Sequence, residues 1–391
     1  MNHSFIYNKK NKSFQCVLFL IFIVTIYDPW FFQNIRGVVL SGTVLFFLYL
    51  ICKLKVDVRS LRLVIALLLF AIISITPALY NFSFDYSVTL MYIRMVIYSF
   101  VMYMLSKIVN DEQLTIDFIV KSLFFQLIVF LLCAFGPDII KYFIFSIHTA
   151  NEGFYSSAQE YRLFYFTSVA FFQLSLFFGF VFNWLFFLYN EKRVSLLSLI
   201  VCFVCGLATG RSFMVFAVIT FLFNGLRLKF LFFYIIIFMS MVWVVTNFQD
   251  NRFIHHAFEP IINLMRNGEF ESSSSDKLKD KMPFIPSFKQ IVIGDGVYYN
   301  DDGGYYGGTD SGIIRQLLYG GILYLTLCFL MQLYFICKVA KNWIKRKRLS
   351  FIFTSMCIFL TGHIKADVFM YPSLTLMLIL FLSFKQNDKE S

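Results

Sequence analysis

The chain reads as an all-α polytopic integral membrane protein, with about twelve transmembrane helices and one large late loop on the outer face. Three observations predict that class. Hydrophobic residues fill 59% of the 391 positions and charged residues only 15%, where soluble globular chains carry roughly a quarter charged residues. Apolar runs near the ~20 residues needed to cross a hydrocarbon core recur along the whole length. Lys and Arg gather in the short loops between those runs, the distribution that the positive-inside rule describes.

The elements follow in order. "MNHSFIYNKKNKSFQCVLFLIFIVTIYDPW" places basic residues before an apolar run with no small-residue cleavage site after it, so it reads as a retained signal anchor. Spans near 14–32 and 37–53 enclose a tight outer turn with Arg36, and "KLKVDVRSLR" returns the chain to the inner face. Spans near 62–80 and 87–107 flank the outer loop "NFSFDYS", and "KIVNDEQLT" leads to a span near 117–135. A lesser outer segment at 136–164 is too polar in its second half to lie in lipid. A span near 164–189 ends at the inner "NEKR", and runs 194–209 and 212–226 form a tight pair around "TGRS". A span near 230–247 completes the first block, 1–247. Residues 248–311 form the large outer loop, and 312–391 hold spans near 312–338, 350–364 and 370–384 with an inner C-terminus. Both termini are expected inside.

The formal net charge of +11 does not imply a nucleic-acid partner, because the basic residues sit at helix ends. "KRKR" at 345–348 reads as an inner topogenic loop facing anionic lipid. All eight Cys lie in or beside apolar runs and read as small packing residues, "CFVC" at 202–205 included. No metal-ligand cluster emerges. A calcium loop counted from Asp295 fails at its twelfth position, which is Tyr306 and not a bidentate Glu. In the large loop, "ESSSSDKLKDK" is expected to be solvated. "GDGVYYNDDGGYYGG" reads as a flexible turn whose Tyr residues face a sugar or the interface, or as a plain loop tip.

A few ionisable residues are not explained by topology. Arg211, in the "TGRS" turn, either snorkels to lipid phosphate or clamps an oligophosphate with its planar fork. Arg162 stands where the first outer segment becomes a span, with the same two readings. Asp310 could be a helix cap. Arg315 lies one turn into the following helix, where a cation opposes the positive helix end unless an anion is near. "TGHIKADVFMYPS" at 361–373 interrupts an apolar run with His363, Lys365 and Asp367. It is either an exposed tight turn or a source of another cation and a titratable imidazole. Arg94 is mid-span, with a partner expected inside the bundle. Arg162, Arg211, Arg315 and Lys365 are expected to ring one outer mouth, an arrangement suited to a lipid-linked diphosphate.

The lesser outer segment ending in Arg162, the "TGRS" turn, the large late loop, "TDSGIIRQLLYGGI" and "GHIKADVFMYP" together resemble the Wzy-type O-antigen polymerases, within the O-antigen polymerase and ligase superfamily. The resemblance covers topology over the whole chain and sequence in three or four short places. It implies an inner-membrane glycosyltransferase whose large loop is periplasmic and whose termini are cytoplasmic. Such enzymes move a growing glycan from undecaprenyl diphosphate onto a new lipid-linked repeat unit, without cofactor or metal. The implied partners are the undecaprenyl-diphosphate-linked oligosaccharide and membrane lipid, with a chain-length regulator left open. Arg162 and Arg211 match the family's outer-loop arginines by position, and Arg315 is a third candidate. Asp310 or His363 is the expected proton acceptor, and Tyr298, Tyr299, Tyr305 and Tyr306 offer aromatic faces to sugars. Ligases of the superfamily carry a His-Asn pair where this chain has "TDS", which favours a polymerase. After Arg211 the next Gly is Gly225, so the family's Arg-then-Gly spacing is not met. The rival readings are a ligase and a flippase of the same lipid-linked unit, and the 248–311 loop argues against the flippase.

Overall fold

The structure is a computed structural model, and it describes residues 12–31, 35–54, 58–148, 157–224, 235, 239, 242–248, 250–268, 285–369 and 374–384. The described residues are overwhelmingly helical. Helices α1 (Lys12–Tyr27) and α2 (Gly37–Ile51) are joined through a two-residue β-ribbon, Trp30–Phe31 with Ile35–Arg36. Next come α3 (Val58–Ile73), α4 (Thr76–Tyr80), α5 (Ser87–Val109), α6 (Glu112–Phe135) and α7 (Asp138–Ser146). A 3-10 helix at Ser157–Leu163 precedes α8 (Phe171–Asn190), α9 (Leu196–Thr209) and α10 (Arg211–Asn224). The remainder is α11 (Arg252–Asn267), α12 (Phe288–Val292), α13 (Gly312–Trp343), α14 (Arg348–Lys365) and α15 (Leu374–Phe384).

Among the described residues, five helical stretches are long and apolar enough to cross a membrane: Leu61–Tyr80, Ser87–Val109, Glu112–Phe135, Phe171–Asn190 and Gly312–Trp343. Shorter apolar helices fill the rest of the bundle. The centre is α8, in which every residue from Leu174 to Leu188 is buried, as expected of a helix that is apolar all round. It packs against α9, α10, α14 and α15, and α15 is itself buried along its full length between α5, α8 and α13. Large apolar side chains such as Ile51, Leu69, Phe135 and Leu323 instead stand exposed on the rim, a surface compatible with lipid contact.

Helix ends sort to two ends of the bundle. At the basic end, Arg193 is ion-paired to Glu112 and Glu191, while Glu191 accepts the backbone N–H groups of Lys345 and Arg346 at 2.7 and 2.8 Å. The "NEKR", "NDE" and "KRKR" loops therefore share one end. The opposite end gathers the loops at 81–86, 163–170, 210 and 285–311 together with 366–369.

Several expectations change here. The segment at 136–164 contains a helix of its own, α7, whose Asp138–Ser146 run exposes Ile139, Tyr142 and Phe143. The large loop carries α11 and α12 where the sequence reading placed no helix. Arg94 faces outward from α5, with no bundle partner among the described residues, because it lies between the exposed Ile93 and Ile97 on the rim face. The stretches "ESSSSDKLKDK", most of the span near 230–247, and residues 1–11, 370–373 and 385–391 lie outside the described residues.

Candidate functional site

The loop end is organised by a broken helix. In α13 the pair Gly320–Gly321 interrupts the ladder, with Gly321 at φ +72° and ψ −175°. A Cβ at Gly321 would sit 2.3 Å from the Val292 carbonyl oxygen, so the 290–296 segment lies directly against the break. That segment donates Asp295 N–H to the Leu318 carbonyl at 2.7 Å and Gly296 N–H to Tyr319 at 2.9 Å. The carbonyls that the interrupted helix leaves unpaired are thereby satisfied. α3 is broken in a matching way before Pro77, and the Ser74 carbonyl there accepts the Tyr319 hydroxyl at 2.7 Å.

On this platform "GDGVYYNDDGGYYGG" forms an ordered hairpin. Tyr299 and Tyr305 pair across it, Asn300 N–H donates to Gly304, and Tyr306 N–H donates to Tyr298. Asp85 anchors the hairpin from below, its carboxylate accepting the N–H groups of Tyr298 and Tyr299 at 2.7 and 3.2 Å. Burial alone would raise the Asp85 pKa, but these bonds and those from Ser87 hold it below the usual carboxylate value. Tyr298 is buried and donates its hydroxyl to Asp367 at 2.6 Å. Its face is covered by Arg315, whose guanidinium carbon is 4.1 Å from the Tyr298 ring centre and 3.5 Å from that of Tyr305. Tyr298 is thus a latch within the protein rather than a free aromatic face for a sugar.

A second assembly lies beside the first. The 3-10 helix is tied down by the Lys141–Glu160 ion pair and by His148, whose Nε2 meets the Leu163 carbonyl at 2.8 Å. Burial pulls the His148 pKa down to about 4, so the ring is neutral near pH 7 and Nε2–H donates that bond. Gln126 exchanges hydrogen bonds with the Phe166 backbone at 2.9 and 3.0 Å, and Tyr165 reaches the Cys205 carbonyl at 2.7 Å. These contacts hold Arg162 beside the α9–α10 turn. Gly210 holds φ +149°, a backbone conformation that L side chains rarely adopt, and lies in van der Waals range of Arg162, a Cβ there being 3.6 Å from Arg162 Cζ.

Arg211 opens α10 and pairs with Glu259 of α11, Nη1 to Oε2 at 2.8 Å. Lys365, at the end of α14, donates to Ser212 Oγ at 3.2 Å and lies within electrostatic range of both Arg162 and Arg211. The aromatic floor is Phe171 under Arg162 and Phe172 under Lys365. Three of the four expected cations therefore converge. Arg315 is linked to them through its neighbours in the chain: Ser311 Oγ donates to the His363 carbonyl, and Gln316 Nε2 donates to Asp367, two residues beyond Lys365.

The two expected proton acceptors fare differently. His363 is fully buried, stacked on Phe369 at 3.6 Å, with Nε2 3.2 Å from Gln332 Oε1 and Nδ1 accepting Val368 N–H at 3.4 Å. Both ring nitrogens are committed to the fold. Asp310 is exposed and is not the helix cap, a position taken by Ser311. Sequence reasoning missed Glu259, and it offered an exposed turn for Asp367, which is buried. The helical spacing of apolar residues around "HHAFEPIINLM" could have revealed the element that presents Glu259, whereas nothing local distinguishes a buried Asp367 from a turn residue.

Comparison of the chain with family models, with curated proteins and with solved structures returns no match.

Proposed function

We propose that the chain is a surface-polysaccharide polymerase of the O-antigen type. It transfers a growing glycan from undecaprenyl diphosphate onto a new lipid-linked repeat unit. In this reading about twelve spans cross the bacterial inner membrane, the loop end is periplasmic, and both termini are cytoplasmic. The observation that carries the proposal is the convergence of Arg162, Arg211 and Lys365 at one end of an apolar bundle, over an aromatic floor. Three cations near one another, one of them paired with Glu259, suit a dianionic head at the membrane surface better than a neutral ligand.

The chemistry balances with these groups. The acceptor hydroxyl oxygen bonds to the anomeric carbon, the bond from that carbon to the diphosphate oxygen breaks, and diphosphate leaves with the electron pair. Arg162, Arg211 and Lys365 stabilise the charge that develops on it. The acceptor's proton goes to a carboxylate. Glu259 takes that part once diphosphate replaces it as the partner of Arg211, while Arg315 packs on Tyr298 and Tyr305 of the hairpin.

The test is a polysaccharide gel of the host strain with the gene deleted, then complemented by wild type or by Arg211→Ala. Lipopolysaccharide with one repeat unit and no ladder supports polymerase. Bare core with long chains kept on the carrier lipid would make it a ligase, and bare core with single units retained inside a flippase. An unchanged ladder overturns all three.

A further inference from the structure

On the rim of the bundle, away from the cation cluster, α2 and α5 run side by side and leave a groove of about 340 Å³ between them. That size is typical of small-molecule sites. Its walls are apolar: Val39, Phe46 and Phe47 on α2, Ile97 and Val101 on α5, with Gly42 letting the two backbones approach. A Cβ at Gly42 would lie 2.9 Å from Val101, and Arg36 at the head of α2 lies 5.6 Å from the Tyr98 ring. The helices are therefore parallel, and α5 projects beyond the start of α2 toward the loop end.

Arg94 occupies that projecting part. It stands three and four residues before Ile97 and Tyr98, hence on the same face of α5 and one turn above the groove. It is exposed on a rim of apolar side chains, about 10 Å along the helix from Ser87 at 1.5 Å per residue. The charges that act on Tyr98 at this mouth are Arg36, Asp28 and Arg94. Arg36 is neutralised by its ion pair with the fully buried Asp28. Among the described residues, Arg94 is left as the net positive charge at the head of an apolar slot.

We infer that this groove is a binding site for an anionic glycerophospholipid, one acyl chain lying between α2 and α5 and its phosphate held by Arg94. Charge complementarity selects the head: a zwitterionic lipid brings no net charge to offset Arg94, whereas phosphatidylglycerol brings one negative charge. The site is separate from the proposed diphosphate cluster and does not depend on the polymerase reading.

The experiment reconstitutes the full chain in nanodiscs of equal phosphatidylglycerol and phosphatidylcholine, then measures retained lipid after transfer to detergent by native mass spectrometry. Wild type should retain phosphatidylglycerol preferentially. Arg94→Gln should lower that preference about five-fold, the equivalent of the ~1 kcal/mol that one basic residue contributes at an anionic surface. Arg94→Lys should keep most of the preference. Thr43→Trp, which fills the groove from its exposed α2 face, should lower retention of both lipids. Equal retention of the two lipids by wild type, or a preference unchanged in Arg94→Gln, overturns the inference. So does full retention in Thr43→Trp.

Discussion

Tyr298→Phe removes one hydroxyl from the latch that holds the 294–308 hairpin, and its consequence can be worked from the geometry. Tyr298 is 1% exposed and Asp367 5%. The Asp367 Oδ2 atom accepts from Tyr298 Oη at 2.6 Å and from Gln316 Nε2 at 2.6 Å, while Oδ1 accepts Phe369 N–H at 2.8 Å. Phenylalanine fills the same space, so no cavity opens, and the loss is one short bond to a buried carboxylate. Hydrogen bonds to charged groups are worth ~1.5–3 kcal/mol. A loss of about 2 kcal/mol corresponds to about a thirty-fold rise in the opening constant of the hairpin. The assay is amide hydrogen exchange at Tyr298 and Tyr299, whose N–H groups are protected by Asp85. Because Tyr298 and Asp367 contact each other, Tyr298→Phe combined with Asp367→Asn should cost about 1 kcal/mol less than the two singles added. Exchange raised less than about three-fold, or strict additivity, would refute the latch.

Arg211→Ala should cut polymer formation by about 10²–10³, the usual loss on removing one preorganised donor to a developing anion, with normal protein levels; quantified ladder intensity checks this. Glu259→Gln keeps the size of the side chain and should abolish the ladder while purified protein still binds undecaprenyl diphosphate, which titration in detergent would measure. Gly321→Ala forces a side chain into φ +72° and against the Val292 carbonyl; it should destabilise by at least ~1–3 kcal/mol in a denaturation series. The depressed pKa of Asp85 sets a pH dependence: its contribution is complete above the unfolded value of roughly 3.9 and is lost as pH falls through the lower folded value. Proteolysis of the 285–311 loop should therefore accelerate on acidification below about pH 4, and Asp85→Asn should remove that dependence.

Much of the candidate site was legible one residue at a time. Arg162, Arg211 and Lys365 stood out because each is a cation at a helix end where apolar flanks leave no ordinary work for it. Their convergence was expected from topology alone, since every second loop must fall at the same end of the bundle. Arg315 was marked for the same reason, yet its neighbours were misjudged. Tyr298 and Tyr305 read as solvent-facing ligand platforms, because Gly and Asp around them signal a turn and give no information about what the turn rests on. His363 looked like a titratable group at a turn, whereas α14 continues to Lys365 and carries the imidazole into the core against Phe369.

The sequence by itself determined the class of the protein, the order of its apolar helices and which loops share an end. Those properties follow from composition and from the periodic placement of charge, both local quantities. Tertiary structure decided which polar residues meet. Glu259 reaches Arg211 across 48 residues of chain, Tyr298 reaches Asp367 across 69, and Asp85 holds a backbone more than 200 positions away. Such pairings are fixed by how broken helices close against one another. In α13 the Gly320–Gly321 break frees carbonyls that only a distant strand of loop can satisfy, and that requirement draws the loop onto the site.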